Sequence, residues 1–291
     1  MYELSINSYS KAIPFINNIA DEIVYVRSVV EKMQKGTIYV DDIVNPNVCL
    51  IHHYCGLGFL AGTTEIKSFN DMLVNMFYKR FNNNQRNLRL IVSSDTWQNK
   101  LKELFGENIV YFSNIESNLI IEHNKEVERL NLLSNDHIIA WTRVKFKLNK
   151  ELFVRIIDNL EVPEGFLIKR IDENVISSIK GSIVPSFSWD SDEVFLKKGF
   201  GYCLVDGGNV VSTCFSAFIS QDKIDIGIET SPEYRGKGYG LITGAAMINH
   251  CLKEGFEPVW CCRQDNIGSF SVAKKLGFVD ILYLPLYCSV K

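Results

Sequence analysis

The sequence predicts a mixed α/β protein in two parts that meet near residues 160–165. The first observation is that short β-type runs alternate with amphipathic helical patterns along the chain. The second is "LEVPEG", where Pro163 and Gly165 interrupt this alternation. The third is Gly207-Gly208 between two alternating runs, which predicts a hairpin because glycines supply the positive φ angles of a tight turn. We therefore expect an N-terminal α/β domain over 1–162 and a C-terminal α+β domain over 163–291.

The first part shows helical and strand periodicities of its apolar residues in turn. Apolar residues at helical spacing predict helices over 17–36, 68–81, 96–106 and 124–133. Alternating or apolar runs predict strands over 37–43, 48–62 with a break at Gly56 and Gly58, 87–95, 108–114 and 142–149. No motif in this part indicates a particular chemistry, so we expect it to shape a substrate pocket or to be structural.

The second part is more regular. Strands are predicted over 165–172, 200–206, 209–220, 223–230, 258–263 and 280–290. Helices are predicted over 173–181, 191–199, 239–255 and 267–277. Asn266 and Gly277 have the residue types preferred at the two ends of the last helix.

The composition is typical of a globular protein and argues against several classes of function. Of the 291 residues, 46% are hydrophobic and 22% are charged, and the net charge is −3. This charge does not favour an extended nucleic-acid groove. The apolar runs are shorter than the ~18–20 residues of a membrane span, and the N-terminus does not resemble a signal peptide. We therefore expect a cytoplasmic protein with no nucleic-acid or membrane partner.

The eight cysteines do not form a metal-binding pattern. The sequence contains no C-x-x-C pair, and "HHYC" at 52–55 has no matching second half. In a long chain without an export signal, reduced thiols are expected. We therefore predict no metal site.

One glycine-rich stretch stands between a strand and a helix. It reads "SPEYRGKGYG" from Ser231 to Gly240. The dinucleotide pattern G-x-G-x-x-G fails in both registers, because its sixth position is Leu241 or Thr243. The nucleoside-triphosphate loop fails as well, because Lys237 is followed by glycine rather than by Ser or Thr. What remains is the pattern R-x-x-G-x-G at the start of a helix.

This pattern suits a pyrophosphate group. The N-terminus of a helix leaves amide N–H groups unpaired and carries the positive end of the helix dipole. Glycines allow several amides to turn towards one anion, and Arg235 and Lys237 add positive charge at the rim. The alternative is a plain strand-to-helix turn with solvated cations.

The neighbouring motifs favour the first interpretation. "IDIGIETSPEYRGKGYG", "PVWCCRQDN" and "NIGSFSVAKKLGF" occur in this order with a helix between the first two. In these pieces the chain resembles the GNAT superfamily of acetyl-CoA-dependent N-acetyltransferases, over about residues 163–291. The resemblance implies a GNAT fold with a mixed, splayed central sheet. The two-part layout looks like a bacterial subgroup that includes an antibiotic-resistance acetyltransferase. The first part alternates strands and helices without a phosphate loop, and a further hypothesis is that it is a degenerate GNAT-like fold.

The resemblance also implies residue roles for acetyl-CoA binding. Backbone amides from Gly236 to Leu241 would bind the pyrophosphate, and main-chain groups of Ile228 and Thr230 would pair with the pantetheine arm. The implied cofactor-binding residues are Ile228, Thr230, Arg235, Gly236, Lys237, Gly238, Tyr239, Gly240, Leu241, Asn266 and Ser269. For Asn266 the alternative role is that of a helix N-cap.

Acetyl transfer to an amine needs a base, and two carboxylates qualify. In "KIDIGIET", Asp225 and Glu229 share one strand face with Gly227. Either one could accept the amine proton directly or through water, and a solvated strand face is the alternative for both. Which face meets the cleft depends on a β-bulge that sequence does not locate.

The chain departs from the family pattern at the leaving thiolate. The tyrosine that many relatives carry seven residues after the asparagine is replaced by Ala273. The candidates to replace it are Ser269, Ser271, Cys262, Tyr283 and Tyr287. The thiolate could also leave unaided, because thiol pKa values of about 8.5 make it a fair leaving group.

The sequence therefore predicts an N-acetyltransferase that moves an acetyl group from acetyl-CoA to a primary amine. The acceptor is expected to be a small molecule, and a homo-oligomer is possible. The alternative, suggested by Ala273, is an acyl-CoA-binding sensor or regulatory module without turnover.

Overall fold

The strands form a single extended sheet, and helices pack on both of its faces. A computed structural model describes residues 1–16, 23–78, 87–112, 133 and 137–289. The strands are β1 (Tyr2–Glu3), β2 (Gly36–Val40), β3 (Val48–His53), β4 (Leu57–Gly62), β5 (Arg89–Val92), β6 (Ile109–Tyr111), β7 (Ile138–Leu148), β8 (Phe166–Arg170), β9 (Gly201–Asp206), β10 (Asn209–Ile219), β11 (Lys223–Thr230), β12 (Glu257–Arg263) and β13 (Phe278–Ser289). The α-helices are α1 (Ile13–Ile16), α2 (Val24–Val30), α3 (Lys67–Tyr78), α4 (Asp95–Phe105), α5 (Lys150–Ile157), α6 (Asp192–Lys198), α7 (Tyr239–Lys253) and α8 (Ile267–Lys275).

The sheet order shows that the two halves of the chain share their central strands. The order is β1-β2-β3-β4-β5-β13-β7-β12-β11-β10-β9-β8, and β6 pairs with β7 off this path. The last strand, β13, lies between β5 and β7, so it reaches into the first half. In return, β7 lies between β13 and β12, inside the second half. Each half is thus completed by a strand from the other.

The two halves also repeat one pattern. In each, antiparallel strands lead to a parallel pair, β4 with β5 and β11 with β12. The β11–β12 pair is splayed: pairing ends at Asp225 with Val259, while β11 continues to Thr230 and β12 to Arg263. The expected splayed mixed sheet is confirmed. The break near 160–165 lies in the segment between α5 and β8, which has no helix or strand.

Most predicted elements are present, and four predictions need correction. The helix predicted over 17–36 is α2 in its described part, and it ends at Val30 because the chain turns through Lys32, whose φ is 60°, into β2. The strand predicted over 37–43 ends at Val40. The helix predicted over 173–181 is only a 3-10 turn at Ile176–Ser178. Helix α5 was missed although Asn149 caps it. The helix predicted over 124–133 lies outside the described residues, apart from residue 133.

A buried glutamine joins the two halves of the chain. The side-chain amide of Gln34 donates to the backbone oxygen of Ala217 at 2.9 Å and accepts from the backbone N–H of Ile219 at 3.2 Å. Ala217 is the bulged residue of β10, because the β10–β11 register shifts between Ser216 and Phe218. The irregularity is therefore on β10 and leaves the alternation of β11 intact.

Candidate functional site

The glycine-rich stretch forms the N-terminus of α7. Gly236 and Gly238 have φ angles of 79° and 84°, in the left-handed region. No atom lies within 4 Å of the position where a Cβ would stand at either residue. The two glycines are therefore required by backbone conformation and leave open space in front of the helix, which is what an approaching anion needs.

A third glycine brings α7 close to the sheet. A Cβ at Gly240 would lie 3.3 Å from Cδ1 of Ile228 and 3.4 Å from Oγ1 of Thr230. The hydroxyl of Ser212 lies 3.0 Å from those of both Thr230 and Thr243, which ties α7 to β10 and β11. The first turn of α7 is thereby fixed beside the end of β11.

An open cleft of about 660 Å³ lies between the start of α7, the end of β11 and α8. Its lining residues are Ser182, Ile183, Ile228, Glu229, Thr230, Tyr234, Arg235, Gly236, Gly238, Tyr239, Gly240, Leu241, Asn266, Gly268, Ser269, Ser271, Val272 and Lys275. All the residues implied for acetyl-CoA binding except Lys237 belong to this lining. The Lys237 ammonium lies 5.1 Å from the ring centroid of Tyr234 instead.

Helix α8 forms the far wall of the cleft. The side-chain oxygen of Asn266 accepts from the backbone N–H of Ser269 at 3.1 Å, so Asn266 is an N-cap and a wall residue at once. The indole N–H of Trp260 donates to the hydroxyl of Ser269 at 3.0 Å. Trp260 is buried, so it fixes α8 against β12.

Glu229 lies at the rim of this cleft and is held by three donors. One carboxylate oxygen accepts from the backbone N–H groups of Ser182 and Ile183, both at 3.1 Å. The other accepts from Arg235 at 2.9 Å. The same guanidinium donates through Nε to the backbone oxygen of Thr230 at 3.0 Å. Glu229 therefore connects the glycine loop with the 181–183 segment, and both border the cleft.

Asp225 lies deeper on the same strand face. Its carboxylate is buried, with the guanidinium of Arg143 at 3.7 Å, and borders a separate cavity of about 20 Å³. That cavity is large enough for one water, and Tyr25, Arg143, Lys145 and Cys261 also line it. Burial raises the pKa of Asp225 to about 6, although Arg143 acts in the opposite direction.

The nearby lysine has the complementary shift. Burial lowers the pKa of Lys145 to about 8, and neighbouring Lys223 acts in the same direction. The pKa values of Asp225 and Lys145 are thus both closer to 7 than is usual for their residue types. Groups of this kind are typical of functional sites.

The candidates for protonating the thiolate lie in different places. Ala273 is fully buried and has no hydroxyl to offer at that position. Ser269 and Ser271 line the cleft. Burial raises the pKa of Cys262 to about 11, despite a hydrogen bond from Ser269.

The two tyrosine candidates lie outside the cleft lining. Tyr283 is exposed and donates its hydroxyl to Asp280 at 2.7 Å. Tyr287 is buried in the core around α3 and α4. The cleft therefore brings two of the five candidates together.

Sequence reasoning missed the residues that the first half and the 181–183 segment contribute. Arg143 and Lys145 belong to β7, which pairs with β12. The signal was the alternation in "TRVKFKLN", which places cations on one face and apolar residues on the other. The sequence did not show that this strand would lie beside β12.

Among the described residues, no group of three or more His, Cys, Asp or Glu side chains is arranged to hold a metal ion. No described helix is long and apolar enough to cross a membrane.

Comparison with known proteins agrees with the fold. The family model for GNAT acetyltransferases matches residues 14–287. An uncharacterised N-acetyltransferase of Bacillus subtilis (strain 168), YdfB, is 28% identical over 267 residues, covering 91% of this chain and 90% of its own.

Solved structures show the same fold over nearly the whole chain. A GCN5-related N-acetyltransferase-like protein of Streptococcus suis 89/1591 has a TM-score of 0.69 and 22% identity, covering 97% of this chain and 98% of its own. A tandem GNAT protein of the clavulanic acid biosynthesis pathway has a TM-score of 0.55 and 9% identity, covering 99% and 98%. With the family model matched from residue 14 to residue 287, this chain belongs to the GNAT acetyltransferase family and is an acyltransferase.

Proposed function

We propose that the protein transfers an acetyl group from acetyl-CoA to a primary amine of a small molecule. The observation that carries the proposal is the cleft that joins the glycine loop, the free end of β11 and the start of α8. When bound, acetyl-CoA supplies an activated acetyl thioester. The remaining roles belong to the residues of the chain.

The residues around the cleft suit a coenzyme A pyrophosphate. The first amides of α7 have no intrahelical acceptors, and the positive φ angles of Gly236 and Gly238 leave the approach open. Arg235 and Lys275 add positive charge at its border. Within the described residues, Ile228 to Thr230 have no pairing partner on β12. Their main-chain groups that face β12 are available to the pantetheine arm, apart from the Thr230 oxygen that accepts from Arg235.

Asp225 is the proposed proton acceptor for the amine. At pH 7 a carboxyl with a pKa of about 6 is mostly ionised, yet it is a much stronger base than an ordinary aspartate. A water in the adjoining cavity would carry the proton to it. Glu229 is proposed as a positioning residue, because its oxygens already accept three hydrogen bonds.

The leaving thiolate is proposed to be stabilised by hydroxyl groups of the cleft and to take its proton from solvent. Ser269 and Ser271 are the hydroxyl groups on α8 that line it. A serine is a weak acid, so its contribution would be a hydrogen bond to the thiolate rather than full proton transfer. An enzyme with a serine hydroxyl in place of the tyrosine would turn over slowly. In the sensor alternative, the protein would not turn over at all.

Isothermal titration with acetyl-CoA tests the binding step. We expect saturable binding to the purified chain and its loss in Gly238→Asp, because a carboxylate would face the pyrophosphate. The matched control is Gly255→Asp near the other end of α7, where φ is 82° and the Cβ position is equally open. Both variants carry the same backbone strain, and only Gly238 borders the cleft.

Turnover is tested by the release of free thiol from acetyl-CoA with a panel of primary amines. Amine-dependent release above that of the protein alone is expected. If the wild type does not bind acetyl-CoA, the proposed function is wrong. If it binds without amine-dependent release over a broad panel, the sensor alternative is favoured.

A further inference from the structure

One face of the central sheet carries a row of cations. Arg143 on β7 is directly opposite Arg263 on β12 and Leu284 on β13. Lys145, two residues along β7, shares this face. Arg89 on β5 joins it through Cys288, its direct partner on β13. Opposite residues of neighbouring strands point to the same side of a sheet, so strands from both halves build this cationic face.

The cationic face is the side of the sheet away from the proposed cofactor cleft. Helices α7 and α8 contact Ile228 and Trp260, which point to the other side. Asp225 is paired with Val259, and beyond this pair β11 and β12 separate. Through this gap an acceptor amine can meet a thioester held on the far side. On the cationic face, Arg263 borders the gap and Arg143 lies one strand away.

Within the described part of the chain, Arg143 and Arg263 each have one carboxylate beside them. Asp225 faces Arg143, and Asp265 pairs with Arg263 at 2.7 Å. Glu229 is already held by Arg235 of the glycine loop. Arg143 and Arg263 also stand directly opposite each other, an arrangement of like charges that costs folding stability. A bound anion would relieve that repulsion.

Both guanidinium groups can take a further acceptor. The ion pair of Arg143 with Asp225, at 3.7 Å, is longer than a hydrogen bond. The side chain of Arg263 is 43% exposed and lies over the ring of Trp141, 3.7 Å from its centroid, which fixes the guanidinium plane. A planar, fixed guanidinium suits an oxyanion with two oxygens.

The cations also act together on one thiol. Burial raises the pKa of Cys288 to about 11, and Arg89, Arg263 and Arg143 all act against that rise. Three guanidinium groups therefore act on one thiol of this face, in agreement with the pairing of their strands. This positive potential is what an anionic ligand would encounter.

We propose that the acceptor carries an anionic group, a carboxylate or a phosphate, close to its amine, and that Arg143 and Arg263 bind that group. Asp225, at the apex of the gap, faces the amine end of such a molecule. This inference rests on the proposed acetyl transfer and adds the substrate class. It also makes the first half of the chain part of the acceptor site, through Arg143.

Matched amines test the proposal by thiol release from acetyl-CoA. Amino acids are compared with their amides, and aminoalkyl phosphates with the corresponding amino alcohols, which separates the two anionic groups. The anionic member of at least one pair is expected to have the higher kcat/KM. Arg263→Gln should lower that value about tenfold to a hundredfold, the effect of losing a charge-assisted hydrogen bond. The neutral member should lose less, so the ratio of kcat/KM between the anionic and the neutral member should fall.

Arg155→Gln is the matched control, because Arg155 is an exposed arginine on α5 away from the cationic face. Neutral or cationic amines acetylated as well as the anionic ones would overturn the proposal. Equal losses for both members of a pair in Arg263→Gln would overturn it too. Titration of each variant with acetyl-CoA shows whether the cofactor site is intact. A failure of the proposed anion site is thereby distinguished from a failure of the cofactor site.

A second measurement does not depend on finding a substrate. Inorganic phosphate is added to the protein saturated with coenzyme A, and the melting temperature is followed. A rise is expected in the wild type and in Arg155→Gln, with a smaller rise in Arg263→Gln and in Arg143→Gln if that variant folds. The absence of a rise in the wild type would show that the face does not bind such anions and would overturn the proposal.

Discussion

Two carboxylates of the same strand face have different environments. Glu229 is at the rim, where a guanidinium and two backbone amides occupy its oxygens. Asp225 is buried, and desolvation outweighs the attraction of Arg143, which lies beyond hydrogen-bond distance. The alternation of "KIDIGIET" predicted that they share a face. It did not predict that burial would raise the pKa of the deeper one, Asp225.

The pH dependence of turnover should identify Asp225. Because its pKa is about 6, the ionised fraction rises with pH through that value, and kcat/KM should rise with it. Asp225→Asn should remove this limb and lower kcat about 10²- to 10⁴-fold, the usual contribution of a general base. The measurement is a pH–rate profile with an amine whose own pKa is well above 8.

Glu229→Gln serves as the comparison for that profile. It keeps the side-chain shape and should retain the limb near pH 6. A wild-type limb that persists in Asp225→Asn and disappears in Glu229→Gln would assign the base to Glu229 instead. The stability of Asp225→Asn is measured separately, because the variant removes a titrating group. The raised pKa of Asp225 makes the native wild-type protein less stable as pH rises from about 4 to about 6.

At the scale of elements, local signals are present at four helix starts, although α5 was not predicted from its own, and such signals fail where packing decides. Ser94, Asn149, Ser191 and Asn266 each accept a backbone N–H in the first turn of their helix, as their residue types favour. The segment over 173–181 has a helical pattern but packs over the sheet. There, a Cβ at Gly181 would lie 2.6 Å from Glu229. That close approach depends on β11, which is distant in sequence.

Asn266 tests whether a cap residue also binds the cofactor. Asn266→Ala should lower the unfolding free energy by about 1 kcal/mol, because the N–H of Ser269 loses its acceptor. Asn266→Ser keeps an acceptor and should recover most of that loss in a denaturant titration. If acetyl-CoA affinity falls in both variants, Asn266 contacts the cofactor. If it falls in Asn266→Ala alone, its role is that of a cap.

At the scale of the molecule, the two halves exchange strands and depend on each other. Strand β7 fills the gap between β12 and β13, and β13 pairs with β5. The division into 1–162 and 163–291 therefore separates sequence motifs, while the sheet runs across it. Fragments provide the test of whether the second part can fold as a domain.

We expect residues 163–291 alone to aggregate or remain unfolded, because β12 and β13 would lose the strand between them and expose unpaired edges. A fragment of residues 138–291 retains β7 and should show more native-like circular dichroism and a more compact elution volume. Full acetyl-CoA affinity in a folded 163–291 fragment would show that β7 is dispensable for the cofactor site.

The sequence by itself determined the strand–loop–helix unit of the proposed cofactor cleft. Its glycines, its cap and its strand alternation act over a few residues, where backbone geometry and hydrogen bonding are local. Only the tertiary structure decided that β7 lies beside β12 and that Arg143 faces Asp225. It also decided that desolvation raises the pKa of that carboxyl. These features depend on which distant strands pair and on how much water they exclude, and neither is encoded within a single stretch of the chain.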